Sequence, residues 1–232
     1  MPFSDEHKCI FVHVPKTGGS SIENILQMDR TKNLYHRRNK IDGVSPQHLP
    51  INSIRKQIGE EKYKNYFKFC FFRNPWDKMV SEFFYRKAQN DWPRNNEALS
   101  KMSWDTFNEF LDNIFVKSKD IEDWDEVRKT EFDGHLEPQL SFIGDIEIIG
   151  NYQGIRHLQM NFVGFYESLQ RDFDFLMEKH LNKSVKELPR VNVGSHLHYT
   201  HYYNDTTRRL VEEAYKEDIQ ANHYVYEGCS NC

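Results

Sequence analysis

CIFVHVPKTGGSSIENIL, residues Cys9 to Leu26, reads as a buried strand, a tight glycine loop and the start of a helix, in that order. Cys9, Ile10, Phe11, Val12 and Val14 form a β-rich apolar run that is too short for a helix and suited to the middle of a parallel sheet. Pro15 ends it. Lys16, Thr17, Gly18, Gly19, Ser20 and Ser21 then give a turn with no large side chain crowding its glycines, so successive N–H groups can point at one anion. Ile22, Ile25 and Leu26 follow at helical spacing. The loop therefore stands at a helix N-terminus, where partial positive charge and unpaired amides favour phosphate or sulfate. A helix starting near Ser20 would put Glu23 at a capping-box position, a structural role.

FKFCFFRNPWDKMVSEFFYRK, Phe67 to Lys87, repeats the pattern of apolar strand into helix. Asn74 suits the helix cap and Pro75 its first turn. Arg73 sits at the strand's end, and Ser81 lies about two helical turns further on. A guanidinium at the sheet edge and a hydroxyl along the helix can together grip a second phosphate, the arginine offering paired hydrogen bonds.

In the nucleotide-triphosphatase loop GxxxxGK[ST] the lysine follows the last glycine. Here Lys16 precedes Gly18 and Gly19, and that pattern fails. VPKTGGSS instead resembles the 5′-phosphosulfate loop of sulfotransferases that use 3′-phosphoadenylyl sulfate (PAPS), the carbohydrate sulfotransferases in particular. Arg73 and Ser81 resemble the family's 3′-phosphate motif, with Lys78 where many relatives have arginine. Further along, HLEPQ from His135 to Gln139 resembles the family's HLxPQ segment and VGFYESLQRDF its mostly architectural VGxxExLxxDF helix. Ser195, His196, Leu197 and Thr200 resemble the SHLxxT loop of glycan 2-O-sulfotransferases that closes over the 3′-phosphate. The resemblance runs from about residue 9 to 226. It implies one α/β domain over residues 1–232, with a P-loop-like central parallel sheet flanked by helices.

The resemblance also implies a division of roles. Lys16 would neutralise the departing phosphate oxygen; Thr17, Gly18, Gly19, Ser20 and Ser21 would hold the 5′-phosphate; and Arg73, Ser81, Ser195 and Thr200 would serve the 3′-phosphate. No metal is needed where lysine covers the leaving charge. His48, 25 residues before Arg73, stands where glycan 2-O-sulfotransferases carry their catalytic histidine. A neutral imidazole is also the side chain best suited to take a proton from a sugar hydroxyl near neutral pH. His13, Glu23 and His135 are the rival bases, and His135 and Gln139 are candidates to line an acceptor cleft.

Composition bounds the alternatives. With 232 residues, 38% of them hydrophobic and 14% aromatic, the chain has enough apolar mass for one sizeable core. A net charge of −4 argues against a general nucleic-acid binder. The basic stretch Arg30 to Lys40 is a solvated loop or a face for an acidic acceptor. No apolar run reaches membrane-spanning length and MPFSDEHK lacks a secretory core, so a cytoplasmic protein is expected unless the chain is part of a longer, Golgi-anchored one. Cys9 and Cys70 read as small core residues, and Cys229 with Cys232 as a frayed tail.

Three weaker segments complete the reading. A helix is expected from Ser103 to Phe115 with Phe107, Phe110, Leu111 and Ile114 inward, and DIEDWDE, Asp120 to Glu126, as solvated surface. A last helix capped by Asp205 should pack on the sheet. Two other functions share the loop chemistry: a nucleotide-dependent kinase or phosphatase, and a silent module that binds adenosine 3′,5′-bisphosphate or an anionic glycan.

Overall fold

The computed structural model describes residues 3–28, 40–93, 96–144, 146–149, 154–157, 159–182, 187–189 and 196–227. In chain order its elements are β1 (Phe3–Ser4), β2 (Cys9–Val12), α1 (Gly19–Ile25), α2 (Ile51–Ile58), α3 (Glu60–Asn65), β3 (Phe67–Phe72) and α4 (Pro75–Gln89). There follow α5 (Glu97–Ser100), α6 (Phe107–Phe115), α7 (Trp124–Glu131), β4 (Ile146–Ile149), β5 (Gly154–His157) and β6 (Phe162–Phe165). The chain ends with α8 (Leu169–Phe175), α9 (Asp205–Ala214) and α10 (Lys216–Ala221). Contacts divide it into two compact units, Met1–Arg73 with Gln139–Val193 and Asn74–Pro138 with Gly194–Cys232. No helix among the described residues is long and apolar enough to cross a membrane.

The first unit is built on a sheet ordered β1-β2-β3-β6. β2, β3 and β6 run parallel, and β1 pairs antiparallel with β2. Every residue of β2 is buried, as is Phe69 to Phe72 of β3, which is why both strands read as unbroken apolar runs rather than alternating ones. On one face Cys9, Phe11, Phe69 and Phe71 pack with Ile22 and Leu26, and with Phe173 and Leu176. Phe11 and Phe69, opposite each other in register, stack at 5.1 Å between ring centroids. Gly164 leaves room for its cross-strand partner, since a Cβ there would lie 2.4 Å from the Phe71 ring. Burial pushes the Cys9 thiol up to about 12 and raises Cys70 as well, in keeping with two core residues.

The second unit is helical. α4 starts as its sequence suggests, with the Asn74 side chain accepting from the N–H groups of Trp76 and Asp77 and Pro75 in the first turn. Its inner face, Trp76, Met79, Val80 and Phe83, packs with Phe110 and Ile114 of α6, Phe132, and Val211 and Tyr215. Three expectations are corrected. α6 begins at Phe107 rather than near Ser103, because Thr106 and Glu109 make a capping box there. The cap of α9 is Asn204, paired reciprocally with Thr207, and Asp205 is the first helical residue. Val211 and Tyr215, expected against the sheet, join the core of α4 and α6. The acidic stretch stays largely exposed but runs into α7.

Lys78 is fully buried inside this unit. Its ammonium donates to the carbonyls of His135 at 2.7 Å and Glu137 at 3.3 Å and faces the Tyr215 ring. The lysine that stands where many relatives have arginine is thus an internal strut. Desolvation holds it down to about 8 from the ordinary 10.5, opposed by Asp218, Glu82 and Glu137. Below about pH 8 both folded and unfolded chains carry this proton, and its burial cost is in full force. Between that pH and 10.5 the unfolded chain binds it more tightly, so stability rises with pH across the window. Relative to Lys78→Met, the native chain should gain on the order of 3 kcal/mol across this window, as read from urea midpoints; a pH-independent difference would show that Lys78 titrates normally.

Candidate functional site

Parallel pairing brings the C-terminal tips of β2, β3 and β6 to one edge of the sheet, with Val12 opposite Cys70 and Phe72 opposite Phe165. In open α/β sheets that edge is where ligands bind. After β2 the chain folds tightly. The Val14 N–H bonds to the Val12 carbonyl at 3.0 Å, and the Thr17 hydroxyl donates to the Val14 carbonyl at 2.8 Å. What Thr17 presents to an anion is therefore its backbone N–H. Lys16 and Gly18 both take left-handed conformations, at φ 69° and 82°.

The two glycines are needed for different reasons. Gly18 combines its positive φ with a neighbour, Leu169, that would stand 2.6 Å from an added Cβ. Gly19 lies under the His13 ring, whose Nε2 would be 2.2 Å from a Cβ. Because Gly18 is the cap and α1 begins at Gly19, Glu23 is the fifth helical residue and not the third. The capping-box reading of Glu23 is corrected accordingly: it is buried, and its two oxygens bind side chains from elsewhere.

Those partners are His13 and Gln47. His13 Nδ1 lies 2.8 Å from Glu23 Oε1, and Gln47 Nε2 donates to Glu23 Oε2, also at 2.8 Å. A carboxylate only accepts, so the proton of the His13 contact sits on Nδ1. Burial is the larger influence on His13 and pulls it below its ordinary value; Glu23 opposes this, while His48 and Lys16 add to it. His48 closes a one-turn segment, Pro46–His48, just before α2. Its ring meets the His13 ring edge-on at 5.1 Å. Two of the candidate bases are thus neighbours beside the anion loop.

Arg73 reaches the same loop from the tip of β3. Its Nη1 donates to the Lys16 carbonyl at 3.0 Å, and its guanidinium lies over the Tyr166 ring at 3.9 Å. Gln139 fixes its backbone, accepting from the Arg73 N–H at 2.9 Å and donating to its carbonyl at 2.8 Å. Gln139 is fully buried, so it is a clamp and not a cleft residue. Tyr166, at the tip of β6, carried no signal in the sequence, where its segment matched an architectural motif.

Other residues singled out in the sequence lie in α1, in the helical unit or outside the described residues. Ser20 and Ser21 are in the first turn of α1, half-buried and buried. Ser81 is half-buried on α4, and the Thr200 hydroxyl meets His198 Nδ1 at 2.9 Å. Ser195, residues 30–39 of the basic stretch, Cys229 and Cys232 lie outside the described residues. His135 belongs to a buried network of the helical unit: its Nδ1 meets Glu82 Oε2 at 2.7 Å, and the other Glu82 oxygen pairs with Arg86.

Known proteins bear on this geometry. A model described as the sulfotransferase family matches residues 1–225. An uncharacterized protein of Archaeoglobus fulgidus is 31% identical over 131 residues, spanning 56% of this chain and 81% of its own length. No solved structure matches the chain.

The close fit of His13 on Gly19 generates a stability test. Gly19→Ala should cost about 1–3 kcal/mol by overpacking. In a His13→Ala background the same substitution should cost markedly less, because the colliding ring is gone. Equal costs in the two backgrounds, measured by urea denaturation, would show that the ring does not set the loop.

Proposed function

The chain belongs to the sulfotransferase family, and from that premise we propose that it transfers the sulfuryl group of PAPS to an acceptor hydroxyl, most consistently one on a carbohydrate. The observation that carries the reading is the contact of the Arg73 guanidinium with the backbone of the Lys16 loop. The 3′ and 5′ positions of adenosine share one ribose, so a protein that grips both phosphates needs its two grips side by side. A glycine loop without bulky side chains and an adjacent arginine meet that need, and the pairing of β2 with β3 supplies it.

In this reading the acceptor oxygen attacks sulfur as the bond from sulfur to the phosphate oxygen breaks. Negative charge then grows on the departing oxygen. Lys16 neutralises it, and the amides from Thr17 to Ser20, with the Ser20 and Ser21 hydroxyls, hold the 5′-phosphate, the Ser21 N–H being engaged by the Gly18 carbonyl. Fixed positive charge placed where charge develops supplies most of the acceleration in such displacements. His48 takes the hydroxyl proton. Arg73, together with Ser81, Ser195 and Thr200, serves the 3′-phosphate that distinguishes PAPS from ATP. The products are a sulfate ester and adenosine 3′,5′-bisphosphate.

Incubation with ³⁵S-labelled PAPS and a panel of glycan, lipid, tyrosyl-peptide and small-molecule acceptors tests donor and acceptor together. Lys16→Ala and His48→Ala should abolish label transfer without loss of fold by circular dichroism. Arg73→Ala should weaken calorimetric binding of adenosine 3′,5′-bisphosphate by about 1.5–3 kcal/mol, the worth of a charged hydrogen bond. Native affinity in Arg73→Ala would reject its role, and magnesium-dependent ATP turnover in place of sulfate transfer would overturn the whole reading.

A further inference from the structure

Glu23 is 1% exposed, one helical turn behind the anion loop. A carboxylate there is a costly choice. Burying it is unfavourable unless both oxygens are paired, and a like charge so near a site for a dianion adds repulsion. An apolar residue would serve the packing of α1 equally well. The carboxylate must therefore do something that an apolar side chain cannot.

Its contacts indicate what that is. One oxygen takes His13, the residue just after β2, and the other takes Gln47, the residue immediately before His48. The turn holding Gln47 has little freedom of its own, because Pro46 lies within it, Pro50 follows closely, and the His48 N–H bonds to the Ser45 carbonyl at 2.9 Å. Fixing the Gln47 amide thus fixes the backbone that carries His48. On the far side, His13 offers its ring as an edge-on neighbour of the His48 imidazole. Strand, loop helix and histidine turn meet at one carboxylate.

We propose that Glu23 is a positioning residue which, through Gln47 and His13, holds His48 in register with the Lys16 loop. The proposal deepens the reading of His48 as the base and rests on it. Reactions that depend on such alignment lose on the order of a hundredfold in rate for misplacements near 1 Å. Glu23 works on the rate by holding the geometry and never touches the donor.

The test uses the full chain with Gln47→Leu, which removes the amide at similar volume, and Glu23→Gln, which keeps the shape but cannot accept from both partners. In ligand-free protein labelled at histidine, the His48 imidazole resonances, assigned by their loss in His48→Ala, should shift in both variants. With an acceptor from the labelled-PAPS screen, kcat should fall by about tenfold or more, while the KM for PAPS stays within about twofold. Unmoved His48 resonances, an unchanged kcat, or a kcat that falls only with the folded fraction would each overturn the proposal. If Gln47→Leu does not fold, Glu23→Gln decides alone. If no acceptor turns over in the native enzyme, the functional reading fails separately and the His48 spectrum still settles the positioning.

Discussion

The parallel pairing of Cys9–Val12 with Phe67–Phe72 is the constraint from which the site follows. Two strands far apart in the chain end at the same sheet edge because they pair in parallel, and Cys9–Val12 and Phe69–Phe72 are apolar and covered on both faces. A residue that leaves the second strand then has to meet the loop that leaves the first. Arg73 does so, and because it is 5% exposed its guanidinium needs partners within the protein. It finds the Lys16 carbonyl and the face of Tyr166.

A second rule governs the buried carboxylates. Glu23 in the sheet unit and Glu82 in the helical unit are each almost wholly removed from solvent, and each receives the Nδ1 of a histidine on one oxygen. The remaining oxygen takes Gln47 in one case and Arg86 in the other. The difference has electrostatic consequences. Arg86 brings a full positive charge to Glu82, so that carboxylate is balanced within its own network. Glu23 receives an amide and an imidazole that burial keeps below its ordinary pKa. Arg73 meets the backbone of the loop that precedes α1.

The elements legible in the sequence were those fixed by local rules. Strand length, the proline after β2, the Asn74–Pro75 cap and the inward residues of α6 follow from patterns within a few neighbours. The misreadings fall where a partner is distant in the chain. Gln139 is 66 residues from the backbone it clamps, Lys78 is 57 from the carbonyl it serves, and Gln47 is 24 from Glu23. No periodicity registers such a partner. Lys78 is the sharpest case, because nothing near it in the chain marks a lysine in the middle of a helix as enclosed. Tyr166 escaped because a tyrosine at a strand tip has no spacing signature of its own.

The glycines show how a local motif can be right for a reason that the sequence does not contain. A pair of glycines suggests amides opened towards an anion, and the loop has that form. Yet Gly19, at an ordinary helical position, is required by the His13 ring lying against it, and Gly18 by its backbone angle and by Leu169. The same ring is bound to Glu23 and touches His48. The absence of a side chain at position 19 is therefore what lets the imidazole that follows β2 lie against the loop, and that imidazole ties the groups proposed for phosphate binding to the group proposed for proton removal. Lys16, His48 and Arg73 belong to the sheet unit, whereas Ser81 and Thr200, proposed for the 3′-phosphate, belong to the helical unit.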